Sequence, residues 1–239
     1  MNNNINQQVI EYCDIENKRK IGLLNNNLTN LVSNVLTHRY IKLGLEFNIT
    51  LYEKLKKLDI SIDIFSHYLQ NTKSMVCGSY LLSCLFNEEY KYNYINIYTN
   101  SDNKYLEEQF EFYLTKNKNY IDSYEDTARY NFKSMVDIDK IITYSMTNMK
   151  IRVIHIKPKL SIVDFVEENF DLSFTKTIYD GKNIYIYDKD TLDKIGNFSN
   201  KKLSNFNKKM SKLYTYRVYK YLERGFTTEN QNELIRLST

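Results

Sequence analysis

The chain has 239 residues, of which 42% are hydrophobic and 26% charged, and its formal net charge is +4. A chain of this length can bury a sizeable core as one large or two small domains, and its composition is that of a globular protein. No apolar run reaches the length of about eighteen residues that predicts a transmembrane helix. The polar start MNNNINQQ lacks the pattern of a secretory signal, and Cys13, Cys77 and Cys84 give no even-numbered disulfide framework. We therefore predict a cytoplasmic protein without a membrane partner.

The composition weakens the positive net charge as an argument for a polyanionic partner. Asn, Lys, Ile and Tyr are abundant, whereas the chain has one Pro and no Trp. The abundant residues have AT-rich codons and the two scarce ones have GC-rich codons, so a strongly AT-biased genome would produce the lysine content by itself. Only clustering of the positive charge therefore counts as evidence for binding to nucleic acid.

The first part of the chain carries a helical pattern. Residues 1–20 are polar and are predicted to be flexible. Apolar residues recur at helical spacing from Ile21 to about Leu45 and again from Leu51 to Leu69, with Asn48-Ile49-Thr50 as the predicted N-cap of the second run. We predict a helical region over 21–72, a first strand at about Met75, and a core with C-terminal helices over 73–239.

The most informative segment is Ser74 to Thr99, with the sequence SMVCGSYLLSCLFNEEYKYNYINIYT. It predicts a short apolar strand, a Gly-Ser turn, a helix, a polar loop and a second strand over Tyr94–Tyr98, where polar and apolar residues alternate. Gly78-Ser79 lies where a strand passes into a helix. Such a turn can present backbone N–H groups to a phosphate.

The elements after this segment alternate between helices and hairpins. The pattern predicts a helix from Asp102 to Leu114, followed by residues 120–136 without a clear signal. Strands are predicted over Ile138–Met146 and Lys150–Ile156, joined by a tight turn. A helix is then predicted from Ile162 to Phe170, with Ser161 at its start.

The last third of the chain is predicted to hold a hairpin and a basic helix. Two alternating runs flank Asp180-Gly181, which is a strong hairpin signal. A long amphipathic helix is predicted from Lys201 to Leu222, ended by Gly225, with Thr228 capping a last helical turn. The sequence therefore predicts an α+β fold with a mixed sheet flanked by helices.

The basic helix is the one place where positive charge clusters. Tyr214, Tyr216, Tyr219 and Tyr221 interleave with its cations and could stack on unpaired bases. A surface of this kind predicts nucleic-acid binding, while a solvated helix with its tyrosines turned to the core remains the alternative. The candidate nucleic-acid-binding residues are Lys201, Lys202, Lys208, Lys209, Lys212, Arg217, Lys220 and Arg224.

Three segments in this order resemble the nucleotidyltransferase-like proteins encoded by giant DNA viruses, within the polymerase-beta superfamily. They are the Gly-Ser core, FDLSFTKTIYDGKNIYI from Phe170 to Ile186, and RVYKYLERGF from Arg217 to Phe226. The resemblance implies a nucleotidyltransferase-like mixed sheet and a viral, cytoplasmic or virion-associated protein. In that family, the strand after the Gly-Ser turn carries Asp-x-Asp, whose carboxylates hold two catalytic magnesium ions.

This sequence departs from the family pattern at the metal-binding positions. The resemblance places Tyr94 and Asn96 where the two aspartates stand, and Lys150 and Arg152 on the strand expected to carry a third carboxylate. A phenol that ionises near pH 10 and a neutral amide are poor ligands for magnesium, and two cations repel it. We therefore predict no catalytic residue and no metal or other cofactor, with Mg²⁺ only if displaced acids such as Asp137 or Asp139 serve.

Three functions stay open at this point. The first is a catalytically inactive nucleotidyltransferase fold that binds a nucleotide or RNA through Gly78, Ser79, Lys150 and Arg152. The second is an active metal-dependent nucleotidyltransferase that uses displaced acids. The third is a structural or interaction protein that reuses the fold, with a protein as its partner. The three histidines are scattered without partners at ligand spacing, so a zinc site is not expected.

Overall fold

A computed structural model describes residues 39–90, 94–101, 103–125, 137–197 and 216–228 of the chain. The helices are α1 (Glu46–Lys57), α2 (Ile62–Thr72), α3 (Ser79–Leu85), α4 (Lys104–Thr115), α5 (Ile162–Asn169) and α6 (216–222), with 3₁₀ turns at Ser173–Thr175 and Lys189–Asp193. The strands are β1 (Ile41–Lys42), β2 (Met75–Cys77), β3 (Tyr94–Thr99), β4 (Tyr120–Glu125), β5 (Ile138–Met146), β6 (Lys150–Ile156), β7 (Ile178–Tyr179), β8 (Ile184–Ile186), β9 (Ile195–Gly196) and β10 (Thr227–Thr228).

Eight of these strands form one mixed sheet in the order β1-β8-β7-β2-β3-β6-β5-β4. The pairing of β3 with β6 is parallel, and the other pairings in this sheet are antiparallel. A parallel pair needs a long crossover connection, here supplied by α4, β4 and β5. The fold is α+β with a mixed sheet flanked by helices, as predicted.

One face of the sheet is covered by helices α1, α2 and α4. Leu51, Leu55 and Phe65 of the helices pack with Ile97 and Val153 of the strands, and all five side chains are buried. Because side chains alternate across a strand, the residues between these apolar positions point to the opposite face. These apolar residues of β3 and β6 are therefore buried in the main core, and only the residues between them can form a site on the opposite face.

A smaller core lies apart from the main one and joins distant segments of the chain. The ring of Phe174 lies 4.9 Å from that of Tyr221 and 4.5 Å from that of Phe226. We call this cluster the second core: Leu82, Tyr90, Leu172, Phe174, Val218, Tyr221 and Phe226. It brings together the two C-terminal motifs on which the family resemblance depends.

Several predicted elements are confirmed at or near their predicted boundaries. The β5–β6 hairpin runs over Ile138–Met146 and Lys150–Ile156, as predicted. Helix α5 begins after Ser161, whose hydroxyl accepts a hydrogen bond of 3.1 Å from the Asp164 amide. The Asp180-Gly181 turn joins β7 to β8, with the Asp180 carboxylate accepting from the Lys182 and Asn183 amides.

Other predictions are wrong in the N-terminal part of the described chain. The apolar run from Leu51 to Leu69 forms two helices, because the chain turns at Asp59, whose φ is 60°. Asn48 is not a cap but a buried residue inside α1, where its amide donates 2.9 Å to the Lys182 carbonyl. The first described strand is β1 at Ile41, which pairs with β8 at the edge of the sheet.

The C-terminal end also differs from the prediction. Thr228 does not cap a helical turn, because Thr227–Thr228 pairs in parallel with β9. Gly225 ends α6 as predicted, with a φ of 77° that an L side chain rarely adopts. Of the long predicted basic helix, residues 201–215 lie outside the described part of the chain, as does the predicted helix over 21–38. Among the described residues, no helix has the length and hydropathy needed to cross a bilayer.

Candidate functional site

Strands β3 and β6 bring the four predicted positions into direct register. Tyr94 is the Cα partner of Lys150, and Asn96 is the partner of Arg152. These residues alternate with Ile95, Ile97, Ile151 and Val153, which face the main core. All four side chains therefore point to the sheet face opposite α1, α2 and α4.

Two cations on this face lie against tyrosine rings. The guanidinium carbon of Arg152 lies 3.8 Å from the centroid of the Tyr94 ring. The ammonium of Lys150 lies 5.5 Å from the Tyr124 ring and 3.3 Å from its hydroxyl oxygen. Cation–π contacts at this range fix the direction of long, flexible side chains. Tyr124 belongs to β4, within the segment 120–136 for which no element was predicted.

The register extends these contacts across four strands. In one row, Lys150 pairs with Tyr94 on β3 and with Ser145 on β5, which pairs in turn with Asp122 on β4. In the next row, Arg152 lies between Asn96 and Thr143, and Thr143 pairs with Tyr124. We call these the polar rows: Tyr94, Lys150, Ser145 and Asp122, and Asn96, Arg152, Thr143 and Tyr124.

The donor set of the polar rows does not fit a divalent cation. Where the resemblance implies two carboxylates, the structure has a phenol and an amide, and the guanidinium of Arg152 lies in register with that amide. No group of three or more His, Cys, Asp or Glu side chains that could hold a metal ion occurs in the described ranges. Hard cations need carboxylate or phosphate oxygens at such a site.

The displaced acids Asp137 and Asp139 lie at the other end of the hairpin. The carbonyl of Asp137 accepts a hydrogen bond of 2.9 Å from Lys157, beyond the end of β6. Asp139 precedes Thr143 by four positions on β5, or about 13 Å along an extended strand. Among the described acids, Asp122 lies in the polar rows, on β4 at the edge of the sheet. Asp102, the acid at the start of the helix predicted over Asp102–Leu114, lies outside the described residues.

The Gly-Ser turn lies next to this face and is held by the second core. Gly78 has φ 96° and ψ −154°, a conformation open essentially to glycine. Its amide donates 3.1 Å to the Thr177 carbonyl, so this N–H is already bonded. Burial raises the pKa of the Tyr221 phenol, whereas the charges of Arg217 and Arg224 and the hydroxyl of Ser79 lower it.

Helix α6 brings part of the predicted nucleic-acid surface to the same face. Arg217 forms an ion pair of 2.8 Å with Asp171, whose side chain is fully buried. Burial raises the pKa of the Tyr98 phenol, a neighbour of Asn96 on β3, whereas Arg217 and Arg152 both lie close enough to lower it. The charges of Arg217 and Arg152, which come from two separately predicted sites, thus both act on the Tyr98 phenol.

Lys220 of α6 and Arg224, which follows the helix, are the other described cations of the predicted basic surface. Burial, followed by the charges of Arg224 and Arg217, lowers the pKa of Lys220 to about 8. The guanidinium of Arg224 lies 3.8 Å from the ring centroid of Tyr90, and burial lowers its pKa. Burial is thus the main cause of the lowered pKa of Lys220, and the two neighbouring arginines add to it.

The structure places Lys150 and Arg152 on one sheet face, in register with Tyr94 and Asn96. The Gly-Ser turn follows β2, which pairs with β3, and Arg217 of α6 pairs with Asp171. Three residues near the site were not predicted from the sequence: Asp171, Tyr98 and Tyr124. Asp171 lies within the motif from Phe170 to Ile186, but no local pattern indicated its partner Arg217. Five predicted residues of the basic helix lie outside the described ranges: Lys201, Lys202, Lys208, Lys209 and Lys212. Their binding role stays a prediction.

Comparison with known proteins finds similarity at the level of structure. No protein-family model and no curated protein sequence matches the chain. Solved structures that resemble it include a CCA-adding enzyme in complex with CTP, at 10% identity and a TM-score of 0.45, covering 69% of this chain and 37% of that one. Two apo forms of a CCA-adding enzyme have TM-scores of 0.49 at 8% and 10% identity, covering 84% and 87% of this chain and 45% and 46% of theirs. The chain spans less than half the length of these enzymes. Identities and TM-scores this low carry no argument about activity, so the site is interpreted from its own geometry.

Proposed function

We propose that this chain is a nucleotidyltransferase-fold protein that binds the phosphate groups of a nucleotide or RNA and does not transfer them. The observation that carries the proposal is the register of Arg152 with Asn96. A guanidinium stands on the strand where the resemblance implies a third metal-binding carboxylate, in register with the amide that stands in place of one aspartate of the pair. A fixed cation can neutralise phosphate oxygens directly, as a metal ion would.

The chemistry of binding follows from the donors on this face. The guanidinium of Arg152, which lies 3.8 Å from the Tyr94 ring, places a permanent positive charge on this face that attracts phosphate oxygens. Arg217, which pairs with the Asp171 carboxylate at 2.8 Å, adds positive charge from α6. Lys220 adds charge, and its lowered pKa implies a favourable response to a bound anion.

Titration calorimetry with ATP, CTP, GTP and UTP tests the proposal in EDTA and in magnesium. We expect heat of binding in EDTA, because the phosphate contacts need no metal. The Arg152→Met variant keeps the length of the side chain and should weaken binding about tenfold or more through the loss of charge-assisted hydrogen bonds. Lys118→Met is the matched control, since Lys118 forms an exposed pair with Asp59 away from this face. Absence of heat with all four nucleotides and with RNA would overturn the proposal.

The two other candidate functions would give different experimental results. An active enzyme using displaced acids would incorporate radiolabelled nucleotide in the presence of magnesium or manganese, and Asp139→Asn would abolish that incorporation. We expect no incorporation, because the described acids of β5 lie about 13 Å or more along the strand from Arg152. A purely structural protein, including a viral building block, would purify without nucleic acid and show no excess absorbance at 260 nm.

A further inference from the structure

The two cation–aromatic contacts lie at opposite ends of the polar rows. Tyr94 contacts Arg152 at the β3 end, and Tyr124 contacts Lys150 at the β4 end. Strands β3 and β4 are separated by β6 and β5, so their axes lie about 14 Å apart at ordinary strand spacing. A single nucleoside base does not span that width.

Strand β5 lets the two ends form one continuous surface. Its residues in the polar rows, Thr143 and Ser145, carry short hydroxyl side chains and are buried. Lys150 therefore reaches across β5 to the Tyr124 hydroxyl, 3.3 Å away. Longer side chains at these two positions would separate the cation from the ring.

Charge and exposure favour a polyanion with aromatic groups as the occupant. The described cations of this face and of the adjacent α6 are Lys150, Arg152, Arg217 and Lys220, against Asp122 at the outer edge and Asp171, already paired with Arg217. Tyr124 is 40% exposed, which leaves its ring accessible to a planar partner. Nonspecific single-strand binding combines these same two elements, positive charge for the backbone and aromatic rings for the bases.

We propose that the polar rows hold a short single-stranded nucleic acid across β3, β6, β5 and β4, with a base stacked on Tyr124 and phosphates on Lys150 and Arg152. This inference rests on the proposed function and extends it, because it makes an oligonucleotide the preferred ligand over a mononucleotide. Tyr94 positions Arg152, and Tyr124 contacts the second nucleotide or a later one.

Fluorescence anisotropy with the full chain tests this inference, using a six-nucleotide oligouridine, its deoxythymidine counterpart and unlabelled UTP as competitor. We expect either hexamer to bind at least tenfold more tightly than UTP. Tyr124→Leu should weaken hexamer binding about tenfold through loss of stacking, and should weaken UTP binding by a clearly smaller factor, since UTP loses only the contact that orients Lys150. Tyr124→Phe keeps the ring and should stay within about twofold of the wild type.

Tyr105→Leu is the matched control, because Tyr105 is 52% exposed on α4, which packs on the other face of the sheet. Hexamers that bind no more tightly than UTP, or a Tyr124→Leu variant with unchanged hexamer affinity, overturn the inference and leave the proposed function standing. Absence of binding by both the hexamers and UTP overturns both.

Discussion

The second core and the polar rows differ in how strongly packing constrains their residues. Leu172, Phe174 and Phe226 of the second core are almost fully buried, and the buried Asp171–Arg217 pair joins their two segments. In the polar rows, Tyr94, Asn96 and Arg152 are only partly buried, and their contacts run through flexible side-chain ends. A buried aromatic cluster tolerates few changes of shape, whereas a half-exposed polar position accepts a change of chemistry.

This difference explains why the chain resembles the family at its buried motifs but departs from the family pattern at positions 94 and 96. The motifs from Phe170 and from Arg217 match because their residues pack against each other in the second core. At positions 94 and 96, where the resemblance implies aspartates, β3 forms with Tyr and Asn. A recognisable scaffold is therefore compatible with an altered site.

The largest expected effect is the removal of a ring from the second core. Phe174→Ala deletes a fully buried side chain that contacts Tyr221 and Phe226, and should lower the free energy of unfolding by about 3–5 kcal/mol. Urea denaturation followed by circular dichroism measures the change. Phe112→Ala is the control, since Phe112 is 63% exposed and should cost less than about 1 kcal/mol. An equal decrease in the free energy of unfolding for the two variants would mean that the second core stabilises the fold no more than an exposed ring does.

A smaller effect is expected when a carboxylate is returned to the polar rows. Asn96→Asp places an acid beside Arg152, where the attraction between the charges offsets the cost of partial burial. The free energy of unfolding should change by less than about 1 kcal/mol. Thermal melts with and without manganese should coincide, because one carboxylate next to a guanidinium does not hold the ion. A manganese-dependent rise in the melting temperature of this variant would contradict our account of the site.

Local signals predicted much of the fold. The β5–β6 hairpin, α5 with its Ser161 cap and the Asp180-Gly181 turn follow from alternation, capping and turn chemistry within a few residues. By contrast, β1 is two residues long and exists through its pairing with β8, more than a hundred positions away. The turn at Asp59 was not predicted, because both helices face the same core and their apolar residues therefore keep a helical spacing from Leu51 to Leu69.

The candidate site was predictable in its members but not in its arrangement. Position relative to the Gly-Ser turn identified Tyr94 and Asn96, and the strand predicted over Lys150–Ile156 identified Lys150 and Arg152. The stacking of Arg152 on Tyr94 depends on the parallel register, which no local pattern specifies. The pairing of Asp171 with Arg217 depends on tertiary packing in the same way.

The smallest expected effect is the pH dependence contributed by Lys220. Its pKa in the folded protein is lowered to about 8, so between pH 8 and about 10.5 the unfolded chain binds a proton that the folded chain does not. Wild-type stability should therefore rise over this window relative to Lys220→Met, and the difference should be constant below pH 7. Solvent screening at this half-buried site keeps the change below about 1 kcal/mol. Denaturation of both proteins from pH 6 to 10 measures it, and a gap that does not change with pH would rule out the assigned cause.

The parallel pairing of β3 with β6 also has a kinetic consequence. The β5–β6 hairpin closes a short loop, but Tyr94 meets Lys150 only after the long intervening chain has been brought together. Closing long loops carries an entropic cost that must be met before the contacts form, which slows folding. The hairpin should therefore gain protection from hydrogen exchange first. The cationic face should be completed in a later phase, when β3 docks along β6.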